Sequence, residues 1–233
     1  MKLISGSLFF ATLMLMSGLV QADQPFGLGE TVTYSIKKFG VKIGIATLVY
    51  QGPVKIDDRD TLLIVFTADA LNFYDREEIY CDPQNFSPVM VKRDLNIWGK
   101  KEMIEERYQT DQGRVVITKR AGGKTFVTEI QKEGILDNIY GFLYRFRNTE
   151  QPVLHQVMHL HLPTADVFLE ILKETKIRAA GRLFDAFYLQ SRSKQYRLWF
   201  GQDKHRMPIR IDGAMGLGSA VLMMTKYQPS TQP

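Results

Sequence analysis

Residues 102–131 read EMIEERYQTDQGRVVITKRAGGKTFVTEIQ, and this stretch decides the fold class. It holds three runs suited to strands: Glu102 to Thr110, Arg114 to Arg120 and Lys124 to Gln131. Asp111-Gln112-Gly113 and Ala121-Gly122-Gly123 separate them, and both have the composition of hairpin loops. Parallel neighbours need a crossover of a dozen or more residues. Strands that follow one another this closely are therefore antiparallel.

The same period continues on either side. Val32, Tyr34 and Ile36 alternate with Thr31, Thr33, Ser35 and Lys37, the mark of a half-buried strand. Phe39-Gly40 turns the chain into a second strand, Val41 to Tyr50, in which Gly44 signals a bulge or a close backbone approach. Gly52-Pro53 and Asp57-Asp58-Arg59-Asp60 punctuate the chain before Thr61 to Thr67. Glu78 to Cys81 and Pro88 to Ile97 complete the first half. After residue 150 the expected strands are Val153 to Leu162, Ala165 to Ile177, Leu183 to Ser191, Tyr196 to Gly201, Pro208 to Asp212 and Ser219 to Tyr227. Val167, Phe168, Ile171 and Leu172 would also suit a helix, but the neighbouring strands favour strand.

One segment breaks the alternation. Ile135, Leu136, Ile139, Phe142, Leu143 and Phe146 fall on one face of an α-helix. The expected helix is Leu136 to Arg147, with Asp137 and Asn138 at its start. Arg145 and Arg147 lie in its last turn, where they complement the macrodipole.

The chain has 233 residues, 45% hydrophobic and 24% charged, with a formal net charge of +5. These values exclude a polytopic membrane protein and a mostly disordered chain. Lys2, the apolar run Leu3 to Val20 and the small residues of Val20-Gln21-Ala22 read as a secretory signal over residues 1–22. Residues 23–227 then form one β domain, and Gln228 to Pro233 a disordered polar tail. Export and scattered basic residues argue against nucleic acid. A membrane barrel is opposed by the amphipathic helix and by charges on both strand faces. Cys81 has no partner for a disulfide and no base beside it in sequence, so it reads as a structural thiol.

His155, His159 and His161 are the most suggestive cluster. In a continuous strand all three face one side with Val157. His159 and His161 could then share a metal ion, with a third ligand from an unidentified carboxylate or His205. His155 would lie about 20 Å from His161 at ~3.3 Å per residue. The simpler reading is a polar strand face, so no metal or other cofactor is assigned. Gly123-Lys124-Thr125 lacks the glycine and helix of a phosphate loop. Gly213, Gly216, Gly218 and Ser219 match no nucleophile or dinucleotide motif. Asp57, Asp58 and Asp60 lack the rest of a calcium loop. Glu77 and Glu78, like Glu105 and Glu106, point to opposite faces of a strand and cannot act together. Arg145 and Arg147 fit helix capping and ion pairing better than capture of an anionic ligand. No catalytic residue is assigned.

Several stretches resemble the DUF3108 family of exported bacterial proteins. They are Pro25-Phe26-Gly27-Leu28-Gly29-Glu30 with Tyr34, Ile36, Gly40 and Gly44; Gly134 to Asp137 through Tyr144 to Arg147; and Leu198-Trp199-Phe200, Asp203, Arg206 to Ile209 and Gly216. The resemblance implies a mainly β fold, a curled antiparallel sheet (a β-roll or half-barrel) with one packed amphipathic helix. That architecture is similar to periplasmic lipoprotein carriers, by shape alone. It supplies no activity. The expectation is a periplasmic or envelope-associated, non-enzymatic binding or structural module. Its partner would be an apolar, lipid or glycan ligand or another envelope protein. The alternative is a periplasmic hydrolase of envelope glycans or lipids.

Overall fold

A computed structural model describes residues 25–213 and 220–230. The first eight strands follow one another as a meander: β1 (Thr31–Lys38), β2 (Val41–Ile56), β3 (Arg59–Ala70), β4 (Phe73–Cys81), β5 (Pro88–Ile97), β6 (Lys100–Gln109), β7 (Arg114–Ala121) and β8 (Lys124–Gln131). The helix α1 (Ile139–Arg147) follows. A second meander then runs through β9 (Val157–Leu162), β10 (Ala165–Ala179), β11 (Arg182–Ser191), β12 (Arg197–Gly201), β13 (Pro208–Asp212) and β14 (Val221–Gln228). All fourteen belong to one antiparallel sheet, in which β14 lies beside β1 and joins the two meanders. The order leaves β8 and β9 as the two edges, so strand pairing does not close the sheet.

Alternation sets which side chains are buried. On β4 the residues Phe73, Asp75, Glu77, Ile79 and Cys81 point to the interior, while Tyr74, Arg76, Glu78 and Tyr80 do not. The helix lies against β3, β4 and β9. It has nine residues, too few for a helix to persist in water on its own propensity, so packing must hold it. Tyr140, Phe142, Leu143, Tyr144 and Phe146 supply that packing. Each side chain of this size contributes roughly 1.5–3 kcal/mol on full burial. Asn138 caps the helix, its Oδ1 accepting from the Tyr140 backbone N–H at 2.8 Å.

The chain between β8 and α1 reaches the other edge of the sheet. The Asp137 backbone N–H donates to the His161 carbonyl at 2.7 Å, and the His161 N–H donates to Asp137 Oδ2 at 3.1 Å. Lys132 Nζ donates to the Leu162 carbonyl at 3.0 Å. At His161 and Leu162 the outer backbone of edge strand β9 is thereby bonded without a further strand.

Several boundaries differ from the sequence reading, each for a local reason. The helix begins at Ile139 because Asn138, extended at φ −122°, is its cap; Leu136 is buried but lies ahead of it. Gly52-Pro53 does not end β2. The register shifts between Tyr50 and Gly52, so a bulge carries the strand through to Ile56. The bulge expected near Gly44 occurs at its neighbour Ile43. A β-carbon on Gly44 would fall 2.2 Å from the Asp69 carbonyl oxygen, so the backbones also approach closely there. β9 starts at Val157, since Gln156 N–H bonds back to the Val153 carbonyl and His155 adopts φ +66°. Ala165–Ala179 is a strand throughout. Gln228 belongs to β14, opposite Thr31, and Ser230 Oγ donates to the Leu28 carbonyl, so the tail is ordered at least to there. The signal-peptide reading of residues 1–22, Gly216, Gly218, Ser219 and residues 231–233 lie outside the described residues.

Candidate functional site

Two groups of polar side chains converge, and the sequence pointed to only one. The β9–β10 hairpin turns through Pro163-Thr164 and sets Asp166 directly across from His161. His159 and His161 share a face of β9, as expected, with ring centroids 3.6 Å apart. Asp166 Oδ1 lies 3.4 Å from His159 Nε2 and 3.1 Å from His161 Nδ1. One ligand atom from each of the three falls within 4.8 Å of the others. Asp166 is thus the carboxylate the sequence left unidentified. A hairpin count back from the Pro163-Thr164 turn was the signal for it. His155 is elsewhere, with Nδ1 3.1 Å from Glu170 Oε1. His205 is remote, with Nδ1 against the Pro25 carbonyl.

The three side chains could supply part of a tetrahedral metal shell. The position is already electrostatically answered, however. Lys132 Nζ stands 3.2 Å from Asp166 Oδ2. The Lys132 hydrogen bond, helped by the nearby histidines, holds the Asp166 carboxyl below its usual range. A divalent ion would have to enter beside that ammonium, and the cluster reads as an ion-paired surface.

The second group lies inside. Asp75 and Glu77 project inward from β4, Arg93 from β5 and Glu106 from β6. Arg93 grips Asp75 with two hydrogen bonds, Nε to Oδ1 at 2.7 Å and Nη2 to Oδ2 at 2.6 Å, and its Nε lies 3.5 Å from Glu77 Oε1. Tyr108 OH donates to Glu106 Oε2. Burial pushes the Glu77 carboxyl up to about 8; Arg93 opposes the rise, while Asp75 and Glu106 add to it. Burial also raises Glu106, against the Tyr108 hydrogen bond and Arg93. Raised carboxyls can serve as general acids, but Glu77 is buried among the core side chains. As read from sequence, Glu78 points away from Glu77 and bonds Arg76 and Tyr80 instead.

The two helix arginines are both paired. Arg145 Nη1 donates to Asp137 Oδ1 at 2.6 Å. Arg147 is fully buried; its Nη1 and Nη2 donate to Glu30 Oε1 and Oε2 at 2.6 and 2.9 Å, and its Nε to the His205 carbonyl. Its guanidinium stacks 4.8 Å from the Phe26 ring and 5.1 Å from Tyr144. Cys81 is buried, which pushes its thiol well above the usual range and removes it as a nucleophile. An open hollow of about 770 Å³ lies between Thr110–Gly113 and Gln131–Ile135, away from the carboxyl cluster. Among the described residues no helix is long and apolar enough to cross a membrane.

The model of the DUF3108 family, described as a protein of unknown function, matches residues 31–225. No curated protein matches the chain. Among solved structures, a β-barrel-like protein of the DUF1849 domain of unknown function from Brucella abortus has a similar fold. The TM-score is 0.54 at 8% identity, over 88% of this chain and 99% of that one. A putative lipoprotein from Parabacteroides distasonis aligns over 88% of this chain and 98% of its own at 6% identity. The TM-score of that alignment is 0.32.

Proposed function

The chain belongs to the DUF3108 family, and on that footing we propose that it is an exported, non-enzymatic module of the cell envelope that acts through its surface. In this reading the sheet curls around α1, and the protein's own helix occupies the space where a carrier would keep cargo. The observation that carries it is the aromatic packing at the centre. Phe26 meets Tyr50, Tyr144 and Phe86 edge-on at 4.9, 4.8 and 5.8 Å, and Phe146 meets Phe200 at 4.2 Å. Phe66 and Tyr140 stack at 4.3 Å. A sheet that buries aromatics from its helix at this spacing has its interior filled by its own side chains. The curl is supported by the contacts of α1 with both β4 and β9, which stand far apart in strand order. The β-barrel-like description of the Brucella abortus protein agrees with it.

The hydrolase alternative requires ionisable groups from several strands to meet in an open cleft. Asp75, Glu77 and Glu106 do meet, but within the core and against Arg93, which favours a structural role for them. Fractionation and native mass spectrometry test the proposal together. The protein is expected in the periplasmic fraction, cleaved after Ala22, with the mass of the bare chain. An uncleaved cytoplasmic protein, or a single lipid or glycan mass retained through a high-salt wash, would overturn it.

A further inference from the structure

Consecutive antiparallel strands reverse direction, so the turns after β1, β3, β5 and β7 share one end of the sheet. All four are two-residue hairpin turns, a class that favours glycine and asparagine because its central residues need positive φ. The β7–β8 turn complies, with Gly122-Gly123 at φ +56° and +75°. Two of its neighbours do not. Phe39-Gly40 places a phenylalanine at φ +51°, and Trp98-Gly99 a tryptophan at φ +53°. A bulky side chain in the left-handed region is a genuine outlier, and such strain concentrates at functional positions.

Neither aromatic recovers that strain by burial. Phe39 is 88% exposed and Trp98 75%; Leu71, in the Leu71-Asn72 turn between them, is 77% exposed. The tips are bonded to one another's strands. Leu71 N–H donates to the Ile43 carbonyl at 3.3 Å, and Trp98 N–H to the Asn72 carbonyl at 2.8 Å. An open depression of about 640 Å³ separates the first two, lined by Lys42–Ile45 and Asp69–Asn72.

The charge at this end is one-sided. Lys37, Lys38 and Lys42 flank Phe39, and Lys100 and Lys101 follow Trp98. Of the carboxylates nearest these tips, Glu102 is neutralised by Lys119 at 2.7 Å, which leaves Asp69 and, one rung farther along β5, the exposed Asp94. The β2–β3 turn at the opposite end is Asp57-Asp58.

We propose that this end of the sheet docks on an anionic lipid bilayer. Phe39, Leu71 and Trp98 enter the boundary between headgroups and acyl chains, and the lysines lie over lipid phosphates. Tryptophan is enriched at that boundary, and juxtaposed lysines are drawn to anionic headgroups. A protein partner fits less well, because lysine is depleted at protein interfaces and three separate tips offer no flat core to cover. The proposal goes beyond the preceding one: a bilayer surface is not a cargo, and either can fail alone.

Sedimentation with phosphatidylcholine vesicles, with and without phosphatidylglycerol, tests it. The protein is expected to bind the anionic vesicles at least roughly tenfold more tightly, and to release them as salt rises. Phe39→Asn with Trp98→Asn is the decisive variant, because asparagine suits both turns. It should fold at least as stably as wild type and yet lose binding by roughly tenfold or more. The apolar stretch of residues 3–20 is common to both proteins, so the difference reports the tips. In a Trp199→Phe background, Trp98 emission should shift to the blue on anionic vesicles. Equal binding by variant and wild type, or equal binding to both kinds of vesicle, would overturn the proposal.

Discussion

Glu77 shows what a single buried acid does to the pH dependence of the whole protein. An unfolded glutamate titrates near ~4.3, whereas burial lifts the native carboxyl to about 8. Between those values the native state holds a proton that the unfolded chain has released, so rising pH favours unfolding. The contribution of Glu77 is fully present below the lower value and is withdrawn as pH climbs through the upper one. The steepest loss is about 1.4 kcal/mol per pH unit. Glu77→Gln keeps the shape and removes the titration. Urea unfolding of the two proteins between about pH 5 and 8 should therefore show wild type losing stability relative to the variant. Parallel curves would mean that the carboxyl is already ionised in the native state. None of this was legible in sequence, because Asp75, Glu77, Arg93 and Glu106 meet only through the register of β4, β5 and β6.

At the scale of elements, α1 is positioned by a glycine that helix propensity would reject. Alanine normally exceeds glycine in a helix interior by about 1 kcal/mol. A β-carbon at Gly141, however, would sit 2.5 Å from the Phe86 carbonyl oxygen, a backbone atom that cannot step aside cheaply. Gly141→Ala should therefore destabilise the protein by about 1–3 kcal/mol in denaturant unfolding, where an exposed helix would gain. The elements themselves were largely readable, because period-two alternation and glycine-bearing turns are local signals. Lys124–Gln131 and Pro88–Ile97 begin and end where the pattern changes. What misled were residues whose usual meaning is overridden by neighbours. Gly52-Pro53 reads as a stop but is absorbed in a bulge, and Leu136 continues the apolar face of a helix that has not yet started. The site followed the same rule. His159 and His161 were visible as alternate residues of one strand, whereas Asp166 needed the hairpin partner and Lys132 a contact across the sheet's open edges.

Across the whole molecule, the buried pair of Glu30 and Arg147 ties the residues before β1 to the end of the helix, and Tyr227 near the far end of the chain donates to the same carboxylate at 3.0 Å. Glu30→Gln would leave the guanidinium buried without its counter-charge and should cost about 3–5 kcal/mol, read as a lower urea midpoint. A loss below about 1 kcal/mol, the range of a surface pair, would contradict the enclosure of this pair. The seating of β1 between β2 and β14 has a consequence for how such a molecule is made. Thr31 finds one of its ladder partners, Gln228, only after 197 further residues have been synthesised. Topologies with so distant a closing contact fold slowly, since loop entropy must be overcome before the contact is rewarded. For a protein that crosses a membrane as an unfolded thread, as proposed here for this one, that delay would be useful: the two halves of the sheet could not join until the newborn chain had passed through.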